Sequence, residues 1–363
     1  MTHHPEKILA RIEQGLRSFD LSAIEPMQGD QWLLASALQK AIRQGGVDTA
    51  LRAGYALWNI DRQRFWRRLH ITALEDTGVA DTEPLIQTLT ATAQPYWRRK
   101  WGDLRVGLYL TQLLCRSVKT RLADSLFIQA ERSPAYAALR GELISASVDD
   151  LADRAMDEDA ALVERAIALW FLAGTKKYPS DHLPVRAGDP DYASAVLSRL
   201  TVPPDLPHAC IGVMGRTSWP LAIMAPLIWQ YVESQRPQAT VRKAGIAPAQ
   251  EVEGIPLYAM DMFTRSGQAS FRQWQKEVPA LKYFSARQIG IAMFYEESHL
   301  TDRILTTSAI DDFMDAGQWV DAESTGLCLP EYFALRDLVR EHKSALQDIR
   351  ARLLRRTLEG TNA

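Results

Sequence analysis

The side chains with most to offer chemically are Asp261 and Arg265, in a run from 254 to 267 that reads GIPLYAMDMFTRSG. On a helix Arg265 lies one turn beyond Asp261, with Thr264 and Gln268 on the same flank. A carboxylate held beside a cation can position water and stabilise an oxocarbenium-like sugar, the chemistry of base excision. The plainer alternative is an i,i+4 ion pair worth a few tenths of a kcal/mol. Asp76 is the second candidate. It falls on the apolar side of a helix, where a bare carboxylate would cost several kcal/mol, so it must be paired or hydrogen-bonded. Glu296, Glu297 and His299 form a third group, open to acid–base work or to a structural role. Glu296 aligns with Ile289 and Met293 and is expected to point inward.

Other chemistries lack their signatures. The one glycine-rich candidate for a phosphate cradle, GVMGRT at 212–217, has no G-K-[ST] ending. No G-x-S-x-G, Cys–His pattern, dinucleotide loop or metal-ligand spacing appears. No metal, nucleotide or redox cofactor is therefore expected, and base excision is reached partly by elimination.

Two basic-aromatic clusters point to nucleic acid as the partner. One is Arg62, Arg64, Trp66, Arg67 and Arg68; the other runs YWRRKW from Tyr96 through Trp97, Arg98, Arg99 and Lys100 to Trp101. Guanidinium groups hold phosphates in bidentate fashion, and aromatic faces stack on unpaired bases. A solvated helix face with core tryptophans is the competing reading. Lys40 and Arg43 are expected to add to the DNA contact.

These residues need helices to position them. Val47, Ala50, Leu51, Gly54, Tyr55 and Trp58 recur at helical spacing. Asp61 is a suitable N-cap for the next helix, in which Phe65, Leu69 and Ala73 share a face and Gly78 supplies the stop. In the 254–267 run Pro256 suits a helix start, and Leu257, Met260, Phe263, Phe271 and Trp274 make its buried face. Gly267 inside that helix costs about 1 kcal/mol relative to alanine, which suggests close approach of a backbone or ligand. Ser285 and Gln288 have capping-box spacing. Residues 330–358 read as one long amphipathic helix with a stripe of Leu335, Val339, His342, Leu346, Ile349 and Leu353, and with Arg350, Arg352, Arg355 and Arg356 crowding its end.

Residues 54–81, reading GYALWNIDRQRFWRRLHITALEDTGVAD, carry a family likeness. With Ser36–Arg43 (SALQKAIR), Asp48-Thr49-Ala50-Leu51, Arg67-Arg68-Leu69 and the closing run ALEDTGVAD at 73–81, the chain resembles the C-terminal region of the replication-associated recombination ATPases, the bacterial RarA family related to clamp loaders. The likeness spans roughly residues 33 to 90 and excludes the ATPase motor. It implies a helical region that supports tetramer assembly within a DNA-maintenance machine.

Length and composition complete the expectation. The 363 residues suit one large or two ordinary domains, and 47% hydrophobic content is ample for a core. With a net charge of −2, nucleic-acid contacts must come from local patches. Cys115, Cys210 and Cys328 are isolated, as suits a reducing cytoplasm. The N-terminus is polar, and the apolar run 219–229 is too short to span a bilayer, so no membrane partner is expected. The predicted fold is all-α, in two packed helical halves. It comprises an N-terminal helical domain at 1–177, a Pro/Gly-rich connector with a buried helix starting near Pro220 at 178–253, and a C-terminal helical domain at 254–363. Residues 239–252 are open to a short strand or hairpin. The functional expectation is a DNA-acting protein of genome maintenance or defence against foreign DNA, with a metal-free glycosylase-type activity. The alternative is a non-catalytic oligomerisation module that partners a separate ATPase.

Overall fold

A computed structural model describes residues 4–178, 180–215 and 220–361. It is 72% helical and 3% strand, with nineteen α-helices among the described residues, so the all-α expectation holds. Arg216, Thr217 and Trp219 lie outside the described residues.

The Gln31–Gln44 helix starts where Asp30 accepts hydrogen bonds from the Trp32 and Leu33 amides. Its Leu34, Ala37, Leu38, Ala41 and Ile42 are fully buried. It forms a tight helical pair with Val47–Ile60. Asp61 then caps Arg62–Thr72, accepting from the Arg64 amide at 2.9 Å. That helix runs into a π-helical turn, Ala73–Thr77, and stops at Gly78, whose φ of 58° is left-handed. A second π turn, Phe294–Ser298, follows the Ala286–Met293 helix, which opens with the Ser285–Gln288 capping box. Such turns insert a residue per turn and collect at functional sites.

There are two apolar cores. The larger gathers residues from Ile8 to Met260, together with Ile304, Leu305, Ile310, Met314, Leu354 and Leu358. The smaller runs from Phe271 to Ile349. The stretch read as a connector carries Pro190–Arg199, Asp205–Met214 and Leu221–Gln235, whose apolar faces belong to the larger core. The chain therefore does not divide cleanly at 254.

Two local expectations change, and the open reading of 239–252 is resolved. No helix begins at Pro256; a 3-10 turn, Leu257–Ala259, precedes Arg265–Glu277, and Thr264 caps that helix by accepting from the Gly267 amide. The long C-terminal helix is broken at His342 into Leu329–Glu341 and Lys343–Thr361. Within 239–252 the short strand forms, Thr240–Arg242, and it pairs with the distant Ile304–Thr306. The hairpin forms slightly later, Glu251–Val252 against Ile255–Pro256, because Glu253 and Gly254 both adopt left-handed φ.

Candidate nucleic-acid interface

One side of the Gln31–Gln44 helix carries Trp32, Ser36, Gln39, Lys40 and Arg43, one turn after another. This stripe leads from the surface into a buried ionic network. Lys40 is 3% exposed and uses its three N–H groups on Asp261 Oδ2 at 2.6 Å, Tyr258 O at 2.6 Å and Ser36 Oγ at 3.0 Å. Arg43, equally buried, donates Nε to Asp76 Oδ1 at 2.6 Å and Nη1 to the Ser298 carbonyl. Arg121 donates to both Asp76 and Asp124. Gln39 joins the parts: its Nε2 donates to Asp76 at 2.9 Å and Glu75 at 3.1 Å, while its Oε1 accepts from Arg68 at 2.7 Å. Asp76 thus has the partners that its apolar position demanded.

The electrostatics follow from who is paired. Burial alone would raise the carboxyls of Asp76 and Asp261. The charges of Arg43 and Arg121 on the first, and of Lys40 on the second, outweigh it and hold both below the ordinary aspartate range. Burial pushes the Lys40 ammonium down against the pull of Asp261. Glu75 is the exception. Its nearest guanidinium nitrogens are 3.8 and 3.9 Å away, because both arginines spend their short bonds on Asp76. Burial, with the charges of Asp76 and Asp124, raises its carboxyl to about 7.

Several expected site residues therefore change role. Lys40 and Arg43 cannot reach a DNA phosphate, since both are buried and paired inward. Asp261 is an anchor that staples the 257–264 segment to the Gln31–Gln44 helix. It makes no pair with Arg265, because no helix connects them and Arg265 stands exposed at the start of the next one. The π turn rotates the register at 294–298, so Glu297 rather than Glu296 is the buried acid. Glu297 accepts from Arg350 and Gln347, each at 2.7 Å, whereas Glu296 binds Arg340 and Arg336. Arg350, one of the four cations read as crowding the end of the last helix, is fully buried. Burial and the charges of Arg121, Arg43 and Arg336 hold His299 neutral, well below its ordinary pKa.

The two basic-aromatic clusters meet at Asp103. Its Oδ2 accepts from the indole N–H of both Trp58 and Trp66 at 2.9 Å, and its Oδ1 lies 3.4 Å from Arg98. Arg98 stacks 3.7 Å over the Trp66 ring, and its burial removes it from the list of direct contacts. Trp97 is half-buried and tied to Glu13 at 3.0 Å. Arg62 stacks 4.2 Å over Trp58, and Arg64 stacks 4.1 Å over Trp32, which is 43% exposed. Arg62, Arg67, Arg99 and Lys100 are exposed, and none has a carboxylate partner within ion-pair distance among the described residues. Tyr96 stands beside them at 79% exposure.

Sequence reasoning missed Gln39, Asp103 and Arg121 because each acts on a segment distant in the chain, and with Arg121 it missed Asp124, which pairs with Arg121 three residues away. Only the adjacent Glu75-Asp76 pair, following two basic positions at 40 and 43, signalled the network. A cavity of about 360 Å³ beside Tyr258, Glu297, Lys343 and Gln347 borders it. A larger one, of about 700 Å³ beside Glu142, Asp150, Asp153 and Asp157, touches none of these residues. Among the described residues, no group of His, Cys, Asp and Glu is placed to hold a metal ion, and no helix is long and apolar enough to cross a membrane. Family models, curated proteins and solved structures were each compared with this chain, and none matches.

Proposed function

We propose that this protein binds unpaired DNA through the face built around Trp32, Arg62, Arg64, Arg67, Tyr96, Arg99 and Lys100, in a genome-maintenance or defence role. The carrying observation is that Asp103 joins two clusters some thirty residues apart into one surface, with unpaired cations beside exposed rings. Cations without internal partners are free to replace counterions on phosphates, and flat rings accept any base. The likeness to the replication-associated ATPases supports DNA as the ligand. Hydrolysis of a base–sugar bond would need a carboxylate that meets the sugar. Asp76 and Asp261 instead face cations inside the fold, and this favours binding over base excision.

The test is fluorescence anisotropy with labelled single-stranded DNA and the fourfold variant Arg62→Glu, Arg67→Glu, Arg99→Glu, Lys100→Glu. All four side chains are exposed, so the fold should survive, as circular dichroism would verify. Affinity should fall at least tenfold. The slope of log K against log salt should lose roughly 0.7 for each phosphate contact removed. Wild-type affinity in the fourfold variant would leave the face as a merely solvated one.

A further inference from the structure

The cleft of about 360 Å³ that borders the ionic network lies where the two cores meet. Leu257 and Tyr258 on one wall belong to the larger core. The last helix brings Lys343, Ser344 and Gln347 to another wall and feeds Leu346 and Ile349 into the smaller core. Residues 246–250 close a further side. Junctions of this kind are favoured places for small ligands. A sphere of this volume is about 9 Å across, so groups on different walls are within reach of one small molecule.

The polar groups of the cleft are chiefly donors, and they are poorly supplied from within. Tyr258 is 8% exposed, and its hydroxyl bonds to nothing among the described residues. Its oxygen is not sealed in the interior, and the residue lines the cleft. Burial holds the phenol above its ordinary pKa, so it stays an O–H donor. Lys343 comes only to 3.9 Å from Glu297 Oε1, because Glu297 already accepts from Arg350 and Gln347 at 2.7 Å. The charge of Glu297 is also felt at the Tyr258 phenol, so both donors stand around this one acid. Arg350 neutralises Glu297 from the core side, which leaves the Lys343 ammonium as a surplus positive charge on the cleft wall. Lys343 and Ser344 also open a nineteen-residue helix whose first turn holds no acid, so its own side chains do not oppose the positive end of its dipole.

The rest of the lining is largely apolar, with Ile246, Pro248, Leu257 and Leu300. A surplus cation and a partnerless O–H call for an anionic acceptor, and the apolar walls call for a hydrocarbon body beside it. We infer that this cleft binds a small free monocarboxylate, its carboxylate on Lys343 and the Tyr258 hydroxyl and its hydrocarbon body between Leu257, Leu300 and the 246–250 segment. An ionised carboxylate only accepts, and its two oxygens serve several converging donors at once. An amine would set its charge against Lys343, and an alcohol would leave that charge unmatched. The inference is independent of the DNA-binding reading.

The experiment is a saturation-transfer NMR titration of the full chain with sodium butyrate, hexanoate and octanoate, and with hexan-1-amine and hexan-1-ol as controls. Hexanoate should bind with a Kd of roughly 0.1–1 mM, as suits so small a ligand. Affinity should rise about fourfold per methylene from butyrate until the cleft is full. The amine and the alcohol should bind at least about tenfold more weakly than hexanoate. Lys343→Met leaves Glu297 its Arg350 partner, and should weaken hexanoate about tenfold or more while leaving hexanol unchanged. Tyr258→Phe removes one oxygen, should weaken hexanoate by roughly tenfold, and serves if the first variant does not fold. Equal affinity for hexanoate and hexanol would overturn the site. So would unchanged hexanoate binding in a folded Lys343→Met or Tyr258→Phe variant, or no transfer to any carboxylate up to about 10 mM.

Discussion

Asp261 and Asp76 show how a carboxylate that looks reactive in a sequence is consumed by its own fold. Each is buried against cations that are themselves buried. Removing one member of such a group leaves the other charge uncompensated, which costs about 3–5 kcal/mol, whereas replacing both with apolar residues is often close to neutral. Asp261→Asn should therefore destabilise the protein by about that amount in urea unfolding, and Lys40→Met with Asp261→Leu should cost much less. An Asp261→Asn variant as stable as the wild type would show that the pair carries no such strain. Asp76→Asn should be at least as damaging, since Arg43 and Arg121 both lose their partner. The need to pair Asp76 was legible in the sequence, because one helix turn is enough to place it on the apolar side. The pairing of Asp261 with Lys40 was not, since 221 residues separate them.

Glu75 gives the molecule a pH signature of opposite sign to its neighbours. Its carboxyl rises from an ordinary 4.5 to about 7 in the fold. Between those values the folded state holds more protons than the unfolded one, so stability falls as pH climbs through that window and then levels off. Asp76, Asp261 and Glu297 are depressed, so their contribution is present above the ordinary carboxylate range and is lost as pH falls through it. Asp321, raised by burial to about 6, acts in the same sense as Glu75. Glu75→Gln should match the wild type near pH 5 and exceed its stability at pH 8. The rise from 4.5 to about 7 corresponds to roughly 3 kcal/mol at most. Chemical denaturation at the two pH values measures it, and an unchanged pH dependence in the variant would refute the assignment.

Among the elements, the π turns and the segment before Arg265–Glu277 decide which side chains point inward. Regular 3.6-residue spacing correctly reads Phe65, Leu69 and the capping box, where the helix is ordinary. It assigns the wrong glutamate at 296–297 because a π turn adds a residue that no propensity announces. Gly267 was legible as a point of close approach, and the neighbour is the backbone of Asp261 itself. A Cβ at 267 would sit 1.8 Å from the Asp261 carbonyl oxygen. Gly267→Ala should displace the 261–264 segment and cost about 3 kcal/mol, the upper end for overpacking. It should also loosen the Lys40 staple, which nuclear magnetic resonance of the lysine ammonium would report. Wild-type stability for this variant would mean that the segment yields freely.

At the scale of the whole molecule, the helical class was legible from periodicity alone, but the division into cores was not. Chain order suggested a helical domain at 1–177, a connector at 178–253 and a helical domain at 254–363, whereas burial places connector helices, 304–314 and the end of the last helix with the first core. The smaller core is tied in through Glu297 and Arg350, both buried. Arg350→Met should leave Glu297 without its main partner and open the smaller core first. Hydrogen exchange should then accelerate across 271–349 while helices such as Leu162–Ala173 keep their protection. Uniform acceleration would instead mean that the two cores unfold as one.

The pairing of Thr240–Arg242 with Ile304–Thr306 has a consequence for synthesis. Leu305 also donates to the Lys119 carbonyl, and the Lys119 amide donates to Arg303, so this one short strand closes a seam between segments that leave the ribosome at very different moments. Until residue 306 has emerged, the nascent chain holds nearly all of the larger core with an open strand edge along 240–242, whose side chains remain exposed even in the finished protein. Unpaired edges invite pairing with other chains. A ribosome that stalls between 242 and 304 would therefore release a product whose larger core is mostly assembled around an unpaired strand edge.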